Sequence, residues 1–457
     1  MGELKLGPRL VIAGTHSGVG KTTIATGLMA AFKACGVDVR SAKVGPDFID
    51  PGYHSMATGH SGRNLDPWIC GADVIPALAG RACGDGELLI IEGVMGLYDG
   101  AVDGSKSSTA DVAELLDAPV VLVVDGSSMS GSVAALVRGF RDHGPSLRFG
   151  GVILNRVSSD HHAELLAEAL AAIDVEVFGV VGRDEALTWR DRHLGLIPVA
   201  EKPDEVSRSL DALASVIESC CDLDRLASVA GEAPAVTVEP PPLPTPVAGI
   251  DTESPPVIAV AAGQAFTFCY QDNLEALEAA GARLVLFDPL EADQLPPGID
   301  GLIVGGGFPE EFATRLSANH GLAASVRAGL AGGLPAWAEC GGLLWLSESL
   351  EETPMVGAIK AESTMAGRLT LGYREAVVTE KNPVGAIGTK LRGHEFHYSR
   401  IEPGGSALTL TSRFNTRPEG FATPTMLATY LHQHLGGNPE PARQFVAACL
   451  DYQQAHS

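Results

Sequence analysis

The sequence contains few aromatic residues and no long apolar run. Phe, Trp and Tyr together make up 5% of the 457 residues. No uninterrupted apolar segment reaches the roughly 18 residues of a membrane-spanning helix. The first ten residues, MGELKLGPRL, also lack the extended apolar core of a secretory signal peptide. These absences argue against a membrane protein, and we expect a cytoplasmic location.

Positive charge is scarce as well. The chain has 32 Lys and Arg residues against 56 Asp and Glu residues, which gives a formal net charge of −24. A surface this acidic repels phosphate backbones, so we expect no non-specific binding to nucleic acid. Net charge says little about small ligands, because a local basic pocket can lie within an acidic surface.

Cysteine is present but forms no metal-binding pattern. The eight cysteines include no C-x-x-C pair. We expect most of them to be reduced, small core residues. Cys340 differs in its sequence context and is considered below.

The chain reads as two α/β segments separated by a proline-rich stretch. Residues 231–256 carry eight prolines and few apolar residues. On either side, apolar strands alternate with helical periodicity, the pattern of a mostly parallel sheet. We predict a domain at 1–230, a linker at 231–256 and a second domain at 257–457.

Apolar runs and periodicity predict the following elements. In the first segment, strands are expected at 10–13, 38–43, 88–92, 120–125, 151–155 and 175–181, with an amphipathic helix at 203–218. In the second, strands are expected at 257–261, 283–287, 301–304 and 334–338, with helices near 271–280 and 439–452. The last hundred residues have a more β-rich pattern.

Residues 10–28, LVIAGTHSGVGKTTIATGL, combine a buried strand, a glycine-rich loop and a helix. This combination predicts a phosphate-binding loop, in which backbone N–H groups and the helix N-terminus face the phosphates. Lys21 is expected at the β- and γ-phosphates and Thr22 on Mg²⁺. The expected nucleotide-binding residues are Gly18, Gly20, Lys21, Thr22 and Thr23. The spacing departs from the strict pattern, because Thr15 stands where the first glycine belongs.

Acidic residues at strand ends are candidates for the metal. Glu92 ends an apolar strand and is followed by a glycine-containing loop with Asp99. A carboxylate at the end of a buried strand is costly without a partner, and a metal ion can supply one. The loop KVGPDFIDPGYH groups four further polar side chains, Lys43, Asp47, Asp50 and His54. A solvated loop is the alternative interpretation of that group.

Two further features are weaker. Asn155 ends the strand GGVILN, where its amide could contact an adenine edge. The run WRDRHLGL groups Arg190, Arg192 and His193, chemistry suited to carboxylates or phosphates. Surface exposure is the alternative for that run.

The stretch AWAECGGLLWL places Cys340 between a strand and a helix. This arrangement predicts a nucleophile elbow, with the thiol pKa lowered at the helix N-terminus and the Gly341 N–H as an oxyanion donor. An inert buried cysteine is the alternative. Gly306 and Gly307, in an upstream glycine loop, are expected to supply further donors, and TYLHQHLGG offers His432 and His434 as bases.

Taken together, these motifs resemble the cobyrinate and hydrogenobyrinate a,c-diamide synthases of corrinoid biosynthesis. The resemblance covers nearly the whole chain and rests on GTHSGVGKTT, VGPDFIDPGYH, EGVMGLYDG, GVILNRV, RHLGL, YQDNLEALEAAGA, GGGFPEEFA, AECGGLLWL and RGHEFHYS. The first half resembles dethiobiotin-synthetase-like ATPases, and the second half resembles class I glutamine amidotransferases. The implied fold is a P-loop parallel-sheet ATPase domain followed by an amidotransferase-like α/β domain.

The resemblance implies an ATP-dependent, glutamine-hydrolysing amide ligase. Cys340 would release ammonia from L-glutamine, while ATP and Mg²⁺ would activate the a and c acetate carboxylates of a corrinoid ring as acyl phosphates. Asp47, Glu92 and Asp99 are the implied Mg²⁺ and acyl-phosphate residues. Class I enzymes commonly place Glu two residues after the catalytic His, but here that position is His434. We expect His432 to be the base, with His434 as a candidate for orienting it.

Three alternatives remain open at this stage. Cobyric acid synthase shares both halves, and nickel-sirohydrochlorin a,c-diamide synthase differs mainly in its ring substrate. A partition-type ATPase switch could also carry the P-loop, although His16 stands where that class has its signature lysine. Neither the metal state of the ring nor a homodimeric assembly is decided by the sequence.

Overall fold

The computed structural model describes residues 3–84, 86–101, 104–144, 146–183, 191–192, 195–196 and 198–456. Contacts within the chain divide it into two compact units, Met1–Pro241 and Pro242–Ser457. Each unit contains a parallel sheet with helices between its strands, which confirms the predicted α/β class. Over the described ranges, no helix is both long enough and apolar enough to cross a bilayer.

The first unit alternates strands and helices along the chain. Its strands are β1 (Leu4–Leu6), β2 (Arg9–Gly14), β3 (Val39–Val44), β4 (Arg63–Leu65), β5 (Leu88–Glu92), β6 (Val120–Asp125), β7 (Phe149–Val157), β8 (Val177–Gly182), β9 (Asp191–Arg192), β10 (Gly195–Leu196) and β11 (Val236–Val238). Its helices are α1 (Lys21–Ala34), α2 (Asp50–Thr58), α3 (Pro67–Cys70), α4 (Ile75–Ala82), α5 (Thr109–Leu115), α6 (Ser132–His143), α7 (Asp160–Ala171), α8 (Pro203–Cys220) and α9 (Leu223–Gly231).

The main sheet of this unit has seven parallel strands in the order β4-β3-β5-β2-β6-β7-β8. Every residue of the central strands β2 and β5 is buried. Parallel sheets are covered on both faces, so such strands are continuous apolar runs. The apolar runs made these strands recognisable in the sequence. Because β2, β3 and β5 run parallel, their carboxyl ends lie side by side.

Helix α8 packs against α1 through the apolar face that the sequence predicted. Val206, Leu210, Leu213 and Ile217 are all buried. The approach is close at Gly27, where a Cβ atom would lie 2.6 Å from Ile217 Cγ1. A side chain at that position would therefore separate the two helices.

Part of the proline-rich stretch belongs to the first unit. Strand β11 pairs antiparallel with β1. The buried guanidinium of Arg9 joins this ribbon to the main sheet by donating hydrogen bonds to four carbonyl oxygens. These acceptors are Leu116 (2.6 Å), Gly7 (2.8 Å), Pro234 (2.9 Å) and Leu6 (3.4 Å).

The second unit is richer in strands. They are β12 (Val257–Ala261), β13 (Arg283–Phe287), β14 (Gly301–Val304), β15 (Ala336–Glu339), β16 (Ser347–Leu350), β17 (Thr353–Pro354), β18 (Ile359–Val378), β19 (Lys390–Glu402), β20 (Leu408–Thr411), β21 (Thr416–Glu419), β22 (Phe421–Thr423), β23 (Met426–Thr429) and β24 (His432–Gln433). The helices are α10 (Gln271–Ala279), α11 (Ala313–Ala318), α12 (His320–Ala331), α13 (Gly341–Leu346) and α14 (Glu440–His456).

Two sheets form this unit. The first has the order β13-β12-β14-β15-β23-β22 and is parallel except for β22. The second contains the long β18–β19 antiparallel pair, which accounts for the β-rich pattern at the end of the sequence. Strand β24 attaches to its β19 edge directly after β23. Strands β15 and β23 therefore lead directly into the segments that carry Cys340 and His432.

We predict that Arg9→Met will destabilise the first unit by about 3 kcal/mol, because buried carbonyl groups lose a charged donor. Amide hydrogen exchange in β2, followed by mass spectrometry of the full chain, should then be about 100-fold faster.

The control variant is Arg148→Met, which removes a half-exposed arginine paired with Asp117. Exposed ion pairs contribute little, so exchange in β2 should change less than about threefold. Equal effects of the two variants would contradict the structural role given to Arg9.

Candidate active sites

The phosphate loop lies between β2 and α1, as predicted. Gly18 and Gly20 have positive φ values of 79° and 98°, which favour glycine. A Cβ atom at Gly20 would lie 2.3 Å from Asn155 Nδ2. The conformation of the loop is therefore constrained by Asn155 as well as by its own backbone.

Asn155 and Arg156 brace this loop from the end of β7. Asn155 Nδ2 donates to the Val19 carbonyl at 2.9 Å, and its Oδ1 accepts from the Arg156 N–H at 2.9 Å. Arg156 donates to the Gly18 carbonyl at 2.8 Å and to Asp125 at 2.7 Å. These contacts give Asn155 a supporting position, and adenine recognition by its amide stays a prediction. Arg156 was not predicted as a site residue, because no local sequence pattern indicates its positive φ of 58°.

Lys21 lies at the start of α1 and is almost fully buried. Its Nζ donates to the His16 carbonyl at 3.2 Å. Burial and the nearby positive charge of Lys43 lower the pKa of Lys21 to about 8. Thr23 lies in the first turn of the same helix and is partly buried.

The polar groups at the ends of β3 and β5 meet around Glu92, whose side chain is fully buried. Thr22 Oγ1 donates to Glu92 Oε1 at 2.6 Å, and Lys43 Nζ donates to the same oxygen at 2.8 Å. His54 Nε2 lies 2.7 Å from Glu92 Oε2. The carboxylate is therefore contacted from three different elements.

Asp50 completes this cluster. Its Oδ2 lies 2.7 Å from Lys43 Nζ and 3.4 Å from Thr22 Oγ1. Burial, Asp47 and Glu92 raise the pKa of Asp50 to about 8. Burial disfavours the charge on Lys43, but the carboxylates of Asp50 and Glu92 raise its pKa above the ordinary value. The sequence grouped Lys43, Asp50 and His54 without showing that Lys43 and His54 would contact Glu92.

The two remaining predicted carboxylates lie at the edges of this cluster. Asp47 Oδ1 accepts from the N–H groups of Ile49 (2.8 Å) and Asp50 (3.0 Å), which places it at the start of α2. Asp99 is exposed and accepts from the Gly96 N–H at 2.8 Å. The loop that carries Asp99 is attached to the phosphate loop, because the Leu97 N–H donates to the Gly14 carbonyl at 2.9 Å.

The oxygen groups of this cluster fit a Mg²⁺ ion. The Thr22 hydroxyl lies beside the carboxylates of Asp50 and Glu92, and these are oxygen ligands of the type that Mg²⁺ prefers. In the described part of the chain, no group of three or more His, Cys, Asp or Glu side chains forms a ready metal site.

The Arg-His run can be placed only in part. Arg190 and His193 lie outside the described residues, and of Arg192 only the backbone, in β9, is described. The role expected of this run stays a prediction.

Cys340 forms a strained turn between β15 and α13, as predicted for a nucleophile elbow. Its φ of 48° lies in the left-handed region, which is unfavourable for a residue with a side chain. The Cys340 N–H donates to the Thr429 carbonyl at 2.7 Å, and the Gly342 N–H donates to the Gly305 carbonyl at 3.0 Å. These bonds between neighbouring strands and loops hold the turn in place.

The expectation of a lowered thiol pKa is wrong. Cys340 is 4% exposed. Burial, followed by the carboxylates of Glu310, Glu339 and Glu395, raises the pKa of Cys340 despite the opposing Gly341 N–H. Helix α13 has only six residues, so the effect of its N-terminus does not outweigh desolvation.

The oxyanion donors predicted from the glycine loop are not equivalent. The Gly306 N–H donates to the Phe268 carbonyl at 3.1 Å, so the prediction of Gly306 as a donor to substrate does not agree with the structure. Gly307 N, by contrast, lies 3.0 Å from the position that a Cβ atom of Gly341 would occupy. Gly307 and Gly341 are therefore adjacent, and both stay candidates for oxyanion binding.

His432 is fully buried beside this turn. Its Cε1 lies 2.5 Å from the position of a Cβ atom at Gly306, so only glycine fits there. Its ring stacks on His394 at a centroid distance of 5.0 Å. Its Nδ1 lies 3.5 Å from Glu339 Oε2. Sequence reasoning missed Glu339, although an acid at the end of a buried strand was the feature that identified Glu92.

His434 has different contacts. Its Nδ1 accepts from the Gly436 N–H at 3.1 Å, and its Nε2 lies 3.8 Å from Asp272 Oδ2. Its ring lies 4.5 Å from that of Tyr270. A role for His434 in orienting His432 stays a prediction.

Both units match known domain families. Residues 10–197 match the family described as the CobQ/CobB/MinD/ParA nucleotide binding domain, and residues 257–440 match the CobB/CobQ-like glutamine amidotransferase domain. The first unit is therefore a nucleotide-binding domain. A solved glutamine amidotransferase covers 42% of this chain and 98% of its own, at 20% identity and a TM-score of 0.31.

Similar proteins extend over nearly the full chain. A hydrogenobyrinate a,c-diamide synthase from Streptomyces coelicolor is 47% identical over 97% of both chains. A protein of the same name from Thermobifida fusca is 44% identical over 96% of both. A cobyrinate a,c-diamide synthase from Synechococcus is 40% identical over 96% of this chain and 98% of its own.

The lowered pKa of Lys21 predicts that nucleotide binding takes up a proton at alkaline pH. Phosphates favour the charged amine, so binding raises a pKa that starts at about 8. Lys21 should contribute about 0.1 proton of uptake at pH 7 and about 0.9 at pH 9, measured as the difference between the unaltered protein and Lys21→Arg, because Asp50 titrates in the same range. Titration calorimetry of ATP and Mg²⁺ in buffers of different ionisation enthalpy measures it.

A Lys21→Arg variant, charged at both pH values, should lose this contribution. Lys33→Ala, which removes an exposed lysine from the same helix, should keep it. Equal proton uptake at pH 7 and pH 9 in the unaltered protein would contradict the prediction.

Proposed function

The chain belongs to the family of hydrogenobyrinate and cobyrinate a,c-diamide synthases, and we propose that it amidates the a and c acetate carboxylates of a corrinoid ring, with ATP and glutamine, in cobalamin biosynthesis. One observation carries this proposal. The same chain holds a phosphate loop whose Thr22 contacts a buried carboxylate, a cysteine on a strained elbow, and a buried histidine against the neighbouring glycine loop at Gly306.

In the second unit, Cys340 reacts with glutamine. The thiol gives its proton to His432 as the sulfur bonds to the side-chain amide carbon. The N–H groups of Gly307 and Gly341 are the proposed donors to the oxyanion. The C–N bond then breaks and the departing nitrogen takes the proton from His432, which releases ammonia. Water hydrolyses the thioester to glutamate and restores the thiol.

In the first unit, the γ-phosphoryl group of ATP passes to a ring carboxylate and ADP departs. Ammonia attacks the carbon of this acyl phosphate, the C–O bond to phosphate breaks, and an amide and inorganic phosphate form. Lys21 is the proposed cation at the β- and γ-phosphates, and Asp99 lies close enough to affect its pKa. When bound, Mg²⁺ would offset phosphate charge. Thr22 and Glu92 are its proposed ligands, with Asp50 beside them. Asp47, at the edge of this cluster, is a further proposed ligand.

The ring substrate is tested with a panel. Purified protein receives ATP, Mg²⁺ and glutamine together with cobyrinate, hydrogenobyrinate or nickel-sirohydrochlorin, and products are identified by mass. We expect two amidations of cobyrinate or hydrogenobyrinate. More than two would indicate cobyric acid synthase activity. Nucleotide hydrolysis with no ring product in any mixture would favour a partition-type switch.

Two variants should separate the two reactions. We predict that Cys340→Ser abolishes amidation with glutamine but retains it with a high concentration of ammonium chloride, because only ammonia release needs the thiol. Lys21→Ala should abolish both, because carboxylate activation is lost. A folded Cys340→Ser protein that fails equally with both nitrogen sources would contradict the separation.

The role of Asp47 is tested by Asp47→Asn. The amide keeps the oxygen that accepts from the Ile49 and Asp50 N–H groups but loses the charge. We predict a fall in kcat of about 100-fold or more with a modest change in ATP affinity, because the charge acts mainly in the transition state. Normal turnover would restrict Asp47 to supporting the start of α2.

A further inference from the structure

A carboxylate directly before the proposed nucleophile faces the proposed base. We propose that Glu339 is the positioning residue that orients His432 and stabilises its protonated form. This inference rests on the proposed reaction of Cys340 with glutamine. It replaces the expectation that the third polar group would follow the histidine in sequence.

The sheet brings Glu339 and His432 together. Strands β15 and β23 are parallel neighbours, and Glu339 is paired in register with Thr429. His432 follows Thr429 by three residues, so the two chain segments leave the same edge of the sheet side by side. The order of residues at this edge places Glu339 and Cys340 on one segment and the base on the other.

Both oxygens of the Glu339 carboxylate face the segment that carries the base. Oε2 lies 3.5 Å from His432 Nδ1, and Oε1 accepts from the Gln433 N–H at 3.4 Å. A carboxylate held by the backbone next to His432 and facing its ring restricts rotation of that ring. A proton on Nδ1 would then be favoured, which leaves Nε2 as the acceptor for the thiol proton.

Burial of His432 increases the effect of the Glu339 carboxylate on the charge of the imidazole ring. The His432 side chain is 0% exposed and that of Glu339 is 12% exposed, so water cannot solvate an imidazolium here. When Cys340 transfers its proton to His432, a positive charge develops in this buried site. A carboxylate within 3.5 Å compensates that charge without taking the proton.

The other titratable groups around His432 do not replace Glu339. Burial, and then repulsion from His432 and His434, lowers the pKa of His394 well below its ordinary value, so the stacked ring is neutral. His434 faces Asp272, whose Oδ2 lies 3.8 Å from its Nε2. Each histidine of the H-Q-H pair thus has its own carboxylate.

A second effect of Glu339 must be separated from this one. Its charge also acts directly on the neighbouring thiol and contributes to raising the pKa of Cys340. The two effects have opposite signs. Removal of the charge alone would favour the thiolate and increase its reactivity, whereas loss of an oriented His432 would decrease it.

The test is Glu339→Gln in the full chain, with glutamate release from glutamine and alkylation of Cys340 by iodoacetamide as readouts. We expect kcat for glutamate release to fall about 100-fold while KM changes less than about threefold. Alkylation of the peptide that contains Cys340, followed by mass spectrometry from pH 6 to pH 9, should be slower and shifted to higher pH. Glu339→Asp should restore part of both.

The control is Glu310→Gln, which removes another carboxylate that raises the Cys340 pKa. It should leave alkylation unchanged or faster. Amidation with ammonium chloride should survive in Glu339→Gln, which shows that the protein is folded. Faster alkylation with unchanged glutamate release in Glu339→Gln would overturn the proposal. If the unaltered protein releases no glutamate at all, the proposed function fails instead, so the two failures are distinguishable.

Discussion

The buried charge pair between Lys43 and Glu92 is the interaction on which the first site depends. A carboxylate with no solvent exposure is stable only when it is paired, and here Lys43 and His54 supply the partners. Burial favours the neutral acid, yet these partners hold the pKa of Glu92 below its usual range. Since Thr22 bonds to the same carboxylate, the pair also fixes the start of α1 and with it the phosphate loop.

The second unit applies the same geometric rule to different chemistry. In both units the candidate site residues follow the carboxyl ends of neighbouring parallel strands, where polar side chains converge. In the first unit the convergence gathers charges around Glu92. In the second it joins the strained Cys340 turn to the carbonyl of Thr429 at 2.7 Å. The strain at Cys340 persists because neighbouring backbone groups fix it on both sides.

Elements with a strong local pattern were predictable, and contacts across the chain were not. Strands Leu88–Glu92 and Arg283–Phe287 have their predicted bounds because each is a bounded apolar run. No local pattern shows that His54 reaches Glu92 or that Glu339 reaches His432, since those contacts depend on register between distant strands. The hydrogen bond from the Gly306 N–H was equally unpredictable, because its acceptor, the Phe268 carbonyl, lies in a distant part of the sequence.

The environment of Cys340 determines how it can be activated. A thiol whose pKa is raised by burial is protonated at neutral pH, so the proposed reaction with glutamine requires a base at the moment of attack rather than a preformed thiolate. Proton transfer from Cys340 therefore depends on the orientation of the proposed base, His432. The neighbours of a fully buried ring determine its orientation. The carboxylate that faces His432 ends β15, directly before the proposed nucleophile Cys340.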